Sequence, residues 1–156
     1  MRARELAEDL PTIGLDDEAL NAAMLIGRQR LPGIAVLNED GRPVAVLPAS
    51  QVLRFLVPVY VQEDPSLARV LDEGTADQCA HQLASRRVRD LLPPQGSRVE
   101  LAAVRGDATL IECAATMARL RSPVLVVMDD GRVHGLLTAS HLLDIMLPAA
   151  DPANPQ

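Results

Sequence analysis

The feature that most limits how this chain can fold is a unit written twice. Asp40-Gly-Arg-Pro-Val-Ala-Val-Leu-Pro-Ala-Ser-Gln-Val-Leu53 returns ninety residues later as Asp130-Gly-Arg-Val-His-Gly-Leu-Leu-Thr-Ala-Ser-His-Leu-Leu143. Asp, Gly, Arg, Leu, Ala, Ser and the final Leu recur in register. Each copy reads as a tight turn, a buried strand and the opening of a helix. The offset reads as constant and without gaps, from Leu20/Leu110 through Val36/Val126, Asp40/Asp130, Leu47/Leu137 and Ser50/Ser140 to Pro58/Pro148. A repeated unit too small to bury its own apolar face finds that cover in its copy. The expectation is an α/β fold of two units with a pseudo-two-fold relation, each ending in a polar strand-to-helix corner.

Composition decides what such corners can hold. At 156 residues with 48% hydrophobic content, the chain can bury a core without disulfides. All fifteen cationic residues are Arg, and Phe55 and Tyr60 are the only aromatics. The core is therefore aliphatic, and a planar ligand must lie against aliphatic side chains or an Arg plane. A net charge of −6 argues against DNA or RNA as partner, because those surfaces must displace counterions with a basic patch. Arg86, Arg87 and Arg89 form the one dense basic cluster and read as a solvated helix start. Cys79 and Cys113 have no partner at metal or disulfide spacing, so both read as small core residues. The opening Met1–Asp9 is charged throughout, unlike a signal peptide, and no run approaches the roughly 18 apolar residues of a membrane span. A soluble, cytoplasmic protein is expected.

Along the chain, Arg2–Leu10 has helical spacing up to Pro11, and Thr12–Leu15 is an extended lead-in. Asp16-Asp17-Glu18 supplies an N-cap and an acidic first turn to a helix whose apolar positions are Leu20, Ala23, Met24, Gly27 and Leu31. Ile34–Leu37 and Pro43–Leu47 are strands around the Glu39–Gly41 turn, and Ser50 caps the next helix. The middle segment differs. Asp64-Pro65-Ser66 opens a helix that Gly74 closes, and Thr75–Gln78 starts another with the stripe Ala76, Cys79, Ala80 and Leu83. Arg87-Val-Arg-Asp-Leu91 then echoes Arg2-Ala-Arg-Glu-Leu6. In the second copy Val99–Val104 leads in, and Asp107 caps a helix through Leu110, Cys113, Ala114, Met117 and Leu120. Pro123–Met128 and Val133–Leu137 are its strands, and Ser140–Met146 its last helix. The organisation is repeat 1 at 1–58, a helical connector at 59–85, repeat 2 at 86–148 and a disordered tail at 149–156.

On this layout the chain resembles the cystathionine-β-synthase (CBS) domain family, in tandem. The resemblance rests on Pro123–Arg132 followed by Gly135-Leu-Leu-Thr138-x-x-His141, which is similar to the family's Gly-h-x-Thr/Ser-x-x-Asp/Asn signature, h being apolar. It covers roughly residues 1–58 and 86–148. The family implies clefts between paired sheets that hold adenosine-containing ligands such as AMP, ADP, ATP or S-adenosylmethionine. In that pattern the Thr hydroxyl faces phosphate and the Asp carboxylate accepts from the two ribose hydroxyls. Here His141 stands at the Asp position of the second corner. In the first corner Ala45, Pro48 and Gln51 replace Gly, Thr and Asp. Neither corner has the ribose-gripping carboxylate, and the second keeps one more residue of the pattern.

The site residues this resemblance implies are Gly135, Thr138, Ser140, His141, Val124 and Leu125 in the second repeat. In the first they are Ile34, Ala35, Ser50 and Gln51. Thr138 is either a phosphate contact or a helix-flanking hydroxyl, whereas Ser50 and Ser140 read first as N-caps. His141 is a ligand partner, a pH-sensitive switch or a solvated first-turn residue. His134 and His81 read as surface residues, as do Arg42 and Arg132, and no metal site is indicated. With no nucleophile–base pair, Gly-rich phosphate loop or carboxylate dyad, catalysis is not expected. A nucleotide sensor signalling to a separate effector, such as a transporter or enzyme, is one reading. A ligand-independent scaffold is the other. The family also implies homodimers, with Phe55–Tyr60 as a candidate contact.

Overall fold

The computed structural model describes residues 1–71, 73–94 and 100–147. The tail at 149–156 and the start of the second lead-in at Val99 lie outside the described residues. The first repeat contributes α1 (Ala3–Leu6), β1 (Thr12–Gly14), α2 (Ala19–Gln29), β2 (Gly33–Leu37), β3 (Pro43–Pro48) and α3 (Ala49–Leu56). The connector holds α4 (Val59–Glu63), a 3₁₀ turn (Pro65–Val70) and α5 (Glu73–Ala84). Then come α6 (Val88–Leu91), β4 (Ala103–Arg105), α7 (Leu110–Leu120), β5 (Val124–Asp129), β6 (Arg132–Thr138) and α8 (Ala139–Met146).

The strands form two three-stranded sheets, β1-β2-β3 and β4-β5-β6, each with a parallel first pair and an antiparallel hairpin. The central strands are apolar on both faces, and strand alternation assigns the two faces to different cores. Ile34 and Val36 pack on the first repeat's helices, whereas Ala35 faces the other sheet. Leu125 and Val127 pack under α7 and α8, whereas Val124 and Val126 meet Ala35 and Leu136 between the sheets. The two sheets are therefore back to back, and the expected mutual burial of the copies is present.

The opening helices are exchanged between the repeats. Ala3 and Leu6 of α1 belong to the second repeat's core, and Val88 and Leu91 of α6 belong to the first. The Ala3 and Arg4 amides donate to the carbonyls of Ala108 and Gly106, while those of Val88 and Arg89 donate to Asp17 and Leu15. Ion pairs follow the same exchange: Arg4 meets Asp129 at 2.9 Å, and Arg89 meets Asp16 at 2.6 Å. The basic cluster is thus partly committed to the first repeat, with Arg86 lying over the Phe55 ring at 5.4 Å.

The constant ninety-residue offset does not hold. Ile34 pairs with Leu47 and Leu125 with Leu137, so equivalent residues lie ninety-one apart before the hairpin and ninety apart after it. The cause is one extra residue in the first hairpin. Five residues separate Leu37 from its partner Pro43, and four separate Met128 from Val133. The longer loop is held by Asn38, whose Oδ1 accepts from the amides of Asp40 and Arg42, both at 3.0 Å. The shorter one turns on Asp130 and Gly131, at φ 52° and 77°, the positive pair that a two-residue hairpin requires. The same slip moves the buried face of α2 to Ala19, Ala22 and Ile26, and leaves Met24 and Gly27 exposed.

Other local expectations also change. The charged opening is helical only over Ala3–Leu6. Asp17 does not cap α2, because its carboxylate accepts from the Gly14 amide at 2.7 Å. Thr109, not Asp107, caps α7, sharing a capping box with Glu112. The helix expected after Pro65 is a 3₁₀ turn capped by Asp64, and α5 runs through Gly74 instead of starting after it. Of the α5 stripe, Leu83 is buried, Cys79 is half-buried, and Ala76 and Ala80 face outward. Cys113 is fully buried, and that burial raises its thiol pKa.

Candidate functional site: two unequal corners

Both corners are built by a strand running directly into a helix, β3 into α3 and β6 into α8. The residue at the junction caps the helix, and it is not the serine. Thr138 is the N-cap of α8: its Oγ1 accepts from the His141 amide at 3.2 Å and lies 3.3 Å from Ser140 Oγ. Ser140 sits within the first turn. Pro48 occupies the same junction of α3, so Ser50 likewise falls inside that helix and caps nothing.

The second corner is covered by the chain's own N-terminal segment. The Glu8 amide donates to Leu136 O at 2.8 Å, and the Leu136 amide donates back to Glu8 O at 2.9 Å. This approach requires glycine at 135, where a Cβ would stand 2.8 Å from Ala7 Cβ and 3.0 Å from Glu8 O. Thr138 is only 8% exposed. His141 Nδ1 is buried and lies 3.4 Å from Glu8 Oε2 without hydrogen-bond geometry. Gly135, Thr138 and His141 are thus brought together, facing Ala7 and Glu8.

At the first corner the equivalents of Gly135, Thr138, His141 and Glu8 are Ala45, Pro48, Gln51 and Pro93. Pro93 has no N–H to donate to β3, and Ala45 carries the methyl that Gly135 lacks. A cavity of about 260 Å³ lies here, between the repeats. Ala45, Val46, Pro48 and Gln51 line it from the first repeat, and Glu100–Ala102 with Leu120–Pro123 from the second. Leu92 and Pro93 complete the wall.

Its polar groups are few and individually placed. Gln51 Nε2 donates to the Leu91 carbonyl at 3.1 Å. Ser122 Oγ donates to Val124 O at 2.6 Å. Glu100 receives two hydrogen bonds from the Arg119 guanidinium, at 2.9 and 3.4 Å. Those bonds, and the charge behind them, hold its carboxyl below the usual carboxylate range. Arg121 ends α7 in the left-handed region at φ 50° and has no ion pair among the described residues. The arrangement suits an apolar planar group with polar substituents at its rim.

The remaining expected site residues lie elsewhere. Ile34 and Leu125 are buried under their own helices, and Ala35 and Val124 lie between the sheets. Ser50 lines a second, apolar groove of about 640 Å³ that runs between α7 and α8 along Met117, Leu142, Leu143 and Met146. Sequence reading missed Glu100, Arg121 and Ser122, because they enter the first corner from the other repeat. The signal was the Arg87–Leu91 echo, which shows that segments ahead of each repeat recur and must dock somewhere. Among the described residues no cluster of three metal-ligating side chains occurs, and no helix is long and apolar enough to cross a membrane.

Two small sheets packed back to back, each feeding a helix at a corner facing the other repeat, define a paired-repeat cleft module. The chain belongs to the CBS-domain family. The CBS domain matches residues 88–148. A CBS-domain-containing protein of unknown function from Kribbella flavida DSM 17836 is 51% identical, over 94% of this chain and 99% of that one, with a TM-score of 0.80. CBSX2, solved in complex with AMP, shares the fold at 17% identity and a TM-score of 0.65, over 94% of this chain and 96% of that one. The CBS domain pair of protein MJ0100, solved in complex with 5′-methylthioadenosine and S-adenosyl-L-methionine, does so at 12% identity and a TM-score of 0.63, over 94% and 95%. No curated protein matches the sequence.

Proposed function

We propose that this chain is a regulatory, non-catalytic CBS pair that binds an adenosine-containing nucleotide between its repeats and reports the bound state to a separate effector protein. The observation that carries the reading is the cavity at the first corner, walled by both repeats at once. A ligand seated there touches β3 and α3 on one side and the lead-in of β4 on the other, so binding alters how the repeats sit together. An equilibrium shifts only by a ligand's differential affinity for the two arrangements, and a site shared by both repeats supplies that difference. AMP, ADP, ATP and S-adenosylmethionine are the candidate ligands, as regulators and not as required cofactors. The occupied ligand sites of CBSX2 and of the MJ0100 pair support this class.

Thermal unfolding with each ligand at millimolar concentration tests the reading. A ligand present at 100 times its Kd adds about 2.7 kcal/mol. No shift with any of the four would discard it. The second reading, a ligand-independent scaffold, is favoured by the covered second corner and by the absence of a carboxylate from both motif positions. A partner that binds equally with and without nucleotide would establish that alternative.

The proposal extends to a homodimer in the cytoplasm. Leu53, Val59, Tyr60, Leu143 and Leu147 are each more than half exposed, on helices of both repeats and the connector. Sedimentation at micromolar concentration gives the assembly directly, and a strictly monomeric species would remove this part.

A further inference from the structure

The carboxylate missing from both motif positions is present in the cavity by another route. Glu100 lines the first corner with Gln51, although it precedes β4 of the other repeat. Its carboxylate is ionised and oriented by Arg119. A carboxylate offers about four lone-pair positions, and Arg119 uses two, so acceptor capacity remains for a pair of hydroxyls. Gln51 can accept through a single amide oxygen, and its Nε2 is already given to Leu91. On the same cavity wall Arg121 has no ion-pair partner among the described residues, although every other charge in the cavity is paired. A guanidinium with free donors in a site that also holds a carboxylate selects a ligand carrying an anion and a diol together.

We infer that Glu100 and Arg121 set the ligand class of the first corner: a ribonucleotide whose intact 2′,3′-diol is accepted by Glu100 and whose phosphate is taken by Arg121. This rests on the nucleotide reading above and narrows it, placing AMP-like anions ahead of neutral nucleosides. The site then obtains from the second repeat the ribose contact that the family motif takes from the first turn of its own helix. Charge complementarity crosses the repeat boundary, so the ligand ties the repeats together through its two ends.

Calorimetric titration of the full chain with AMP, 2′,3′-dideoxy-AMP and adenosine tests this. The wild type should prefer AMP to the dideoxy compound by roughly tenfold or more, the loss expected when a charge-assisted acceptor goes unused. Glu100→Gln should remove most of that preference while leaving dideoxy-AMP binding nearly unchanged. Arg121→Asn keeps a residue that tolerates the left-handed backbone and should erase the preference for AMP over adenosine, leaving the diol preference in place. Both side chains lie at the surface, so unchanged circular dichroism and melting temperature are expected of the variants. If Glu100→Gln retains the full diol preference, or if wild type binds adenosine as well as AMP, the inference is overturned while nucleotide binding stands. If wild type binds none of the three at millimolar concentration, the nucleotide reading falls and carries this one with it.

Discussion

At the scale of single residues, two corner positions have structural duties that their motif places do not announce. Gly135 admits Ala7 and Glu8 to the edge of β6, so Gly135→Ala sets a methyl against Ala7 Cβ and the Glu8 carbonyl. Overpacking of this kind costs about 1–3 kcal/mol. The loss should show as a lower urea midpoint with an unchanged slope. Thr138 caps α8 with the hydroxyl that the family pattern directs at phosphate. Thr138→Ala should therefore destabilise the protein by about 0.5–2 kcal/mol in the absence of any ligand. A stability equal to wild type would show the cap to be dispensable. The same hydroxyl explains why Ser140 was a poor candidate: a cap precedes its helix, and the strand runs one residue farther than the serine reading allows.

At the scale of elements, the exchange of α1 and α6 ties each repeat to the other's core. Arg4 bridges from α1 to Asp129 beside the second hairpin and lowers the carboxyl pKa of Asp129, first by hydrogen bonding. A carboxylate with a depressed folded-state pKa contributes stability that is complete above its unfolded pKa. That contribution is lost as pH falls through the folded value. Asp129→Asn should consequently lower the denaturation midpoint at pH 7 and have progressively less effect toward pH 3. Equal effects at both pH values would show that the ion pair contributes nothing. Both groups are substantially exposed, so the difference will be small and sensitive to salt. The connector shows a different economy: α5 covers the first repeat with Leu83, while the corresponding groove along α7 and α8 is open.

At the scale of the whole molecule, the repeats are separate in sequence but not in packing. A fragment spanning 86–148 lacks Ala3 and Leu6 from its core, and one spanning 1–58 lacks Leu83, Val88 and Leu91. Neither should give a cooperative thermal transition alone, whereas mixing the full 1–85 and 86–156 halves should restore one. Independent folding of the short fragments would show that the exchanged helices are accessory. The exchange also gives the candidate cleft its character, since its walls come from both halves and its shape depends on how they meet.

The doubled hairpin and corner, the apolar central strands and the absence of basic surface were enough to establish two α/β units sharing a core. Those features follow from local periodicity and from the need of each unit to cover an apolar face, which sequence displays directly. Tertiary structure decided which corner stays open. The better-preserved motif, at Gly135 and Thr138, is covered because its glycine lets the N-terminal segment form two backbone hydrogen bonds there. The poorer one keeps its cavity because Ala45 and Pro93 do not support the same approach. Glu100 and Arg121 reach that cavity from ninety or more residues beyond the strand they face, a juxtaposition set by docking between repeats and not by any spacing along the chain.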